Sequence, residues 1–310
     1  MLNELTQDFL PGGSARQQVK LKLLIKLSAP PKFLKTTAAG LIPFKNGIRL
    51  RQFGRRRLIA YPEGAMLLYN YAAETAFLWA GDIHLAHELA YLCILSRTGL
   101  SLDRMGLHRI HASAIALNGT NLLLCGDSGS GKSTIALLAA KRYGGGIFSD
   151  DFPLADSRAF VHAFPARAAI NEDNRETAAL FGAARTMRRR KYGVKLLLSL
   201  DKLPPPAPGK AHRILILKKG ASARIVPASK MRVFAALLKY QVLGIGLPQV
   251  AELLLPLDAK SLAELISITL SRVKTAWRLS RHASGFVFLT GAASDEAAKA
   301  LATSCRNSYP

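Results

Sequence analysis

Residues 120–134 read TNLLLCGDSGSGKST. Thr120 to Cys125 is an apolar run of strand length, and a helical pattern follows from about Lys132 to Lys141. Between them, Gly126-Asp127-Ser128-Gly129-Ser130-Gly131-Lys132-Ser133 fits the phosphate-loop pattern G-x-x-x-x-G-K-[ST] (Walker A) at each fixed position. Strand, glycine-rich loop and helix stand in the order that such a loop requires. Its glycines let backbone N–H groups turn inward around phosphate oxygens, and the helix offers the same anion its positive N-terminal end. Lys132 is placed to reach the outer phosphates, Ser133 to ligate Mg2+, and Thr134 completes the expected nucleotide contacts.

Asn118-Gly119, just upstream, is a strong two-residue hairpin signal, so Arg109 to Leu117 is expected to pair antiparallel with Thr120 to Cys125. In that register paired residue numbers sum to 237, which sets His111 opposite Gly126 and its imidazole beside the phosphates. His108 is expected on the other face, and Ser113 to pack within the hairpin. Downstream, Gly144-Gly145-Gly146 ends the helix, and a short strand at Ile147-Phe148 runs into Ser149-Asp150-Asp151. A magnesium site needs a carboxylate beyond the loop serine, and transfer to a hydroxyl benefits from a base. Two adjacent aspartates can divide those jobs and raise each other's pKa. Ala159 to Phe164 is a further strand ended by Pro165, after which Arg167 is a weaker anion-binding candidate.

The stretch His111 to Asp151 resembles the catalytic core of HPr kinase/phosphorylase and its relatives: a histidine-bearing hairpin, a GDSGxGKS loop and paired aspartates after the next strand. It covers 41 of 310 residues. The resemblance implies an α/β phosphate-loop kinase core with a mixed sheet, related to phosphoenolpyruvate carboxykinase. It implies that Gly126 to Ser133 hold ATP, that Ser133 and Asp151 hold Mg2+, and that Asp150 is the base toward a serine hydroxyl with His111 in support. It also implies a homo-oligomer. No E-I-R-G-x-G-type segment, the family's second signature, lies in residues 165–195, and Leu243-Gly244-Ile245-Gly246 echoes it too late in the chain. A protein or peptide with an acceptor serine, other than HPr, is therefore the expected substrate. The rival readings are a small-metabolite kinase and a non-catalytic nucleotide-binding regulator.

The rest of the chain is less specific. Its 310 residues predict two domains, taken as a basic N-terminal region over 1–100 and the kinase-like unit with a helical extension over 101–310. The net charge is +23; residues 1–60 carry +10 and residues 181–240 carry +14. Such blocks, here 16–57 and 185–195, suit an acidic partner. No nucleic-acid-binding signature accompanies them and aromatics are 7%, which argues against sequence-specific nucleic-acid recognition. No run of 18 apolar residues and no signal peptide is seen, and Cys93, Cys125 and Cys305 have no CxxC spacing, so a cytoplasmic protein without disulfide or zinc is expected. A helix over 84–98 ended by Gly99, a basic helix or loop over Arg185 to Lys195, a Pro204–Gly209 loop, and paired strands at Arg213–Leu217 and Ala223–Val226 complete the reading. Helices over 230–240, 248–255 and 259–281, a strand at Phe286–Leu289 and a last helix from Ser294 follow.

Overall fold

A computed structural model describes residues 21–34, 40–164, 166–182, 185–189, 193–198, 200, 203, 206–247, 250–253, 255–256 and 258–306. Among them the strands form four sheets in a mixed α/β fold. The first is built from β1 (Lys22–Leu27), β2 (Ile42–Pro43), β3 (Arg49–Phe53), β4 (Arg56–Ala60), β5 (Met66–Asn70) and β6 (Thr75–Ala80), in the order β1-β6-β5-β4-β3-β2. β1 runs parallel to β6, and the other pairs are antiparallel. Helix α1 (Ile83–Arg104), capped by Asp82, packs Leu85, Leu89 and Cys93 against Ile59, Leu67 and Leu78 of this sheet.

β7 (His108–Arg109) belongs to a small sheet, whereas β8 (Ala112–Leu117) and β9 (Thr120–Cys125) form the expected hairpin. Asn118 and Gly119 both adopt positive φ, 49° and 74°, the geometry of a type I′ turn. Ala112 faces Cys125 and Leu117 faces Thr120, so the register sum of 237 holds. Helix α2 (Lys132–Tyr143) follows and ends at Gly144, whose φ of 72° gives the left-handed cap. β10 (Gly146–Ser149) returns antiparallel to β8. β11 (Leu154–Ala155), β12 (Phe160–His162), β13 (Ala169–Asn171), the short helix α3 (Arg175–Ala179), β14 (Arg185–Arg189), β15 (Gly193–Leu197), β16 (Gly209–Lys210), β17 (Arg213–Lys218) and β18 (Ala223–Pro227) come next. α4 (Lys230–Leu237) continues into a π-helical turn over Leu238–Val242, and α5 (Ala259–His282), β19 (Ser284–Thr290) and α6 (Ser294–Arg306) close the chain.

The central sheet has the order β10-β8-β9-β17-β19-β18, with β9, β17 and β19 parallel and the rest antiparallel. Period-two alternation sorts its side chains into two cores. Leu122, Leu124, Leu215 and Leu217 meet Leu137 of α2 and Leu301 of α6 on one face. Leu123, Cys125 and Ile214 meet Leu237 of α4 and Leu279 of α5 on the other. The sheet is thus sandwiched between two helical layers, and β9 delivers its C-terminal end to the loop at Gly126.

Several expectations need correction. α1 does not stop at Gly99: a Cβ there would lie 2.1 Å from Cζ of Arg109, so the glycine makes room for a buried guanidinium. The strand expected over Arg109–Leu117 is broken at Ile110–His111. Arg185–Lys195 is neither helix nor loop where it is described, because β14 and β15 pair as an antiparallel hairpin. β17 and β18 do not pair with each other, since β19 lies between them. Of the helix expected over 248–255, a 3-10 turn at Ala251–Leu253 is present, while 248, 249 and 254 lie outside the described residues. Also outside are the first part of the 16–57 block, Pro165, Arg190 to Tyr192 of the second basic block, and Pro204-Pro205.

Candidate active site

The loop between β9 and α2 is shaped by its glycines. A Cβ on Gly126 would stand 2.6 Å from Ser130 Oγ and 3.3 Å from the Leu217 carbonyl, so a side chain there would crowd the loop hydroxyl and the neighbouring parallel strand. Gly131 takes φ of 87° at the N-cap of α2, and no side chain caps that end. The first-turn N–H groups are therefore left for another acceptor. Ser130 N–H donates to the Asp127 carbonyl at 3.1 Å, closing the turn. Lys132, 5% exposed, donates from Nζ to the carbonyls of Gly126 (2.8 Å) and Asp127 (3.1 Å). Burial lowers its pKa, while the charges of Asp151 and Asp150 oppose that shift.

Asp150 directly follows β10 and is 4% exposed. The Ser113 hydroxyl of β8 donates to its Oδ1 at 2.6 Å. Its Oδ2 is buried without a hydrogen bond among the described residues, although Ser133 on the first turn of α2 lies near enough to favour the charged carboxylate. Burial and the adjacent Asp151 charge push the Asp150 carboxyl up to about 7, against the opposing effects of Ser113, Ser133 and Lys132. Asp151 has a φ of 68°, and its side chain is 42% exposed. The chain turns there, so one carboxylate points inward and the next outward.

His111 lies beyond the hairpin ladder, which ends at Ala112–Cys125. The expected His111–Gly126 pair does not form, because the His111 N–H donates to the Tyr240 carbonyl at 3.0 Å. Nδ1 is 2.7 Å from the Ile245 carbonyl, so Nδ1 carries the proton. In the neutral ring Nε2 is then an acceptor, and it stands 4.0 Å from Oδ1 of Asp151. Burial, with Lys132 nearby, lowers the His111 pKa and favours that neutral ring. Gly246, with φ of 92°, lies so close under the imidazole that a Cβ would be 1.5 Å from Nδ1.

No family model matches the chain, and no curated protein does. Among solved structures it is similar to the Hpr(Ser) kinase/phosphatase from Coxiella burnetii, at 15% identity and a TM-score of 0.22, over 47% of this chain and 92% of that one. The likeness is distant. What the site can do chemically follows from its own geometry.

That geometry gathers His111, Lys132, Ser133, Asp150 and Asp151 around the glycine-rich loop, and it leaves other candidates elsewhere. His162 pairs with Asp156 at 3.2 Å, and His108 bonds to Asp103 and Ser271. Among the described residues no hydrogen bond or ion pair ties Arg167 to the cluster, and Cys125 is wholly buried, its thiol pushed up to about 12 by burial. Apart from the buried Asp150 carboxyl, the Ser133 hydroxyl of the first α2 turn and the exposed Asp151 carboxylate offer an all-oxygen donor set. That set fits Mg2+, which takes one or two carboxylates together with substrate phosphates. Sequence reasoning set Ser113 aside as packing, although its two-residue spacing from His111 already placed both on one side of the strand. It missed Lys239, whose Nζ is 2.5 Å from Asp127 Oδ1, and Tyr240, whose hydroxyl is 3.0 Å from the same oxygen. No local pattern marks either residue.

Proposed function

We propose that the chain is an ATP- and Mg2+-dependent phosphate-loop kinase, similar to HPr kinase, that transfers the γ-phosphoryl group to a serine hydroxyl of a protein or peptide. The observation that carries this reading is Asp150: a buried carboxyl near neutrality, with one oxygen oriented by Ser113 and the other without a partner, beside the first turn behind a glycine-rich loop. The loop amides and Lys132 bind and orient the phosphates, and Ser133 and Asp151 are the residues that would hold Mg2+. That ion, when bound, offsets charge on the phosphates. Asp150 accepts the acceptor hydroxyl's proton as the new O–P bond forms and the bond from the γ-phosphorus to the ADP oxygen breaks. Neutral His111, fixed by the Ile245 carbonyl, keeps Nε2 toward Asp151 and can relay the proton outward.

One observation favours a second reading, a small-metabolite acceptor. An open pocket of about 720 Å³ lies beside Thr134 and Leu138 of α2, next to Ser133 but apart from Asp150, lined also by Glu172, Asn174, Thr177 and Asp295, a volume suited to a small molecule. γ-labelled ATP with Mg2+ in a host lysate separates the two. Label on a polypeptide as phosphoserine, with wild type and not with Lys132→Ala or Asp150→Asn, supports the protein kinase. Label on a small molecule supports the metabolite kinase, and label that stays on ATP rejects both.

A further inference from the structure

The cations of the site rest on the loop itself. Lys132 lies on the loop's carbonyls, and Lys239 lies on its one acidic side chain, Asp127, at 2.5 Å. Lys239 comes from the π-helical turn after α4, 112 positions along the chain. Such turns recur at functional sites. Here two successive residues, Lys239 and Tyr240, reach one carboxylate oxygen.

The backbone of this turn is fixed. The Tyr240 carbonyl takes the His111 N–H, Ile245 N–H donates to the Lys239 carbonyl at 3.1 Å, and the Ile245 carbonyl takes His111 Nδ1. The Lys239 side chain is by contrast 40% exposed and its partner Asp127 66% exposed. A long flexible ammonium on an anchored turn can change partners without moving the fold. Asp127 offers it one negative charge, whereas the terminal phosphate of a nucleoside triphosphate in the adjacent loop offers more.

We propose that Lys239 is a second phosphate-contacting cation, held by Asp127 until the terminal phosphate of a nucleoside triphosphate enters the loop and then transferred to it. The proposal rests on the phosphate-loop reading above. Lys239 would thereby favour the triphosphate over the diphosphate, and Asp127 would compete with the nucleotide for it.

The test measures dissociation constants for Mg·ATP and Mg·ADP on the full chain by calorimetry, for wild type, Lys239→Met, Lys239→Arg, Asp127→Asn and the double variant Lys239→Met/Asp127→Asn. Lys239→Met is expected to weaken ATP about tenfold, the scale of a charge-assisted hydrogen bond, and ADP much less. Lys239→Arg should restore most of the preference. Asp127→Asn should tighten ATP, and that gain should vanish in the double variant. If Lys239→Met leaves the ATP to ADP ratio unchanged while wild type binds both, Lys239 is only a structural tie and the proposal fails alone. If wild type binds neither nucleotide, the phosphate-loop reading fails and this proposal with it.

Discussion

The Ser113 hydroxyl stands 2.6 Å from Oδ1 of Asp150, and its bond favours the charged carboxylate that burial and Asp151 disfavour. Lys132 and Ser133 pull in the same direction as Ser113. A base must be ionised, so transfer by the free enzyme should rise with pH through about 7, where this carboxyl is poised. Ser113→Ala removes one of the stabilising bonds and moves the limb upward, by roughly one pH unit for a hydrogen bond to a charged group. The variant should be about fivefold slower than wild type at neutral pH and should regain most of its rate in alkaline buffer. A pH profile of kcat/KM checks this. An unmoved limb with a uniformly lower rate would mean that Ser113 only packs.

The raised pKa of Asp150 also sets a stability prediction. In the unfolded chain the carboxyl ionises at its ordinary value, and in the folded chain it does so at about 7. Between the two, the folded state holds a proton that the unfolded state has lost, so this group makes stability fall as pH rises. Asp150→Asn keeps the shape and removes the buried charge. Its unfolding midpoint should exceed that of wild type above neutral pH by a few degrees, and the advantage should fade as pH falls toward 4. Thermal unfolding across pH is the measurement, and a midpoint below wild type in alkaline buffer would contradict it.

Gly246 supports His111 from below. A Cβ at that position would overlap the imidazole, 1.5 Å from Nδ1 and 1.7 Å from Cε1, and φ of 92° disfavours any side chain. Gly246→Ala must therefore push the ring or the turn aside and break the bond from Nδ1 to the Ile245 carbonyl. On the proposed reading, phosphoryl transfer should drop about a hundredfold, the low end of what a positioned proton-transfer group contributes. Nucleotide affinity, which the proposed reading assigns to the loop and Lys132, should change little. Side-by-side kinetics and calorimetry decide it, and an unchanged rate would remove His111 from the machinery.

The legible parts of this molecule are local ones. TNLLLC, the glycine-rich loop and Asn118-Gly119 state the hairpin, its register and the start of α2, because each is decided by residues within a few positions of one another. The Leu243–Gly246 run reads in the sequence only as a late echo of an E-I-R-G-x-G-type segment, because its contact with His111 spans 134 positions. The same distance problem hid Lys239 and misplaced β18, since β19 (Ser284–Thr290), far along the chain, inserts between β17 and β18. Gly99 misled for another reason. A glycine near a helix end signals a cap, but this one is needed by the Arg109 guanidinium, and the helix runs on to Arg104, capped by Met105 before Gly106, which has φ of 74°. Arg185 to Lys195 misled through its charge, since the RTMRR stretch of β14 carries too few apolar residues to mark a strand.

Asp103, His108 and Ser271 bring a carboxylate, an imidazole and a hydroxyl into line, with both outer groups 2.8 Å from the ring. The order is that of a nucleophilic triad, but the setting differs. His108 is fully buried, and Arg272 holds the same carboxylate at 2.6 and 3.1 Å. Burial alone would raise the Asp103 carboxyl, but the bonds from His108 and Arg272 outweigh it and hold the group below its ordinary range. A pinned, charge-compensated aspartate in that position ties α1 and β7 to α5. His108→Ala should therefore cost about 3 kcal/mol of stability, as for a buried network that loses one member. Asp103's own share is fully present above the ordinary carboxylate value and is lost as pH falls from there through the group's lowered value in the folded chain. Denaturant unfolding of His108→Ala at neutral pH measures the first effect, and a serine-directed fluorophosphonate probe tests the chemistry. Labelling of Ser271 in the folded protein would show a reactive nucleophile, whereas absent labelling with a clear loss of stability is the expected result.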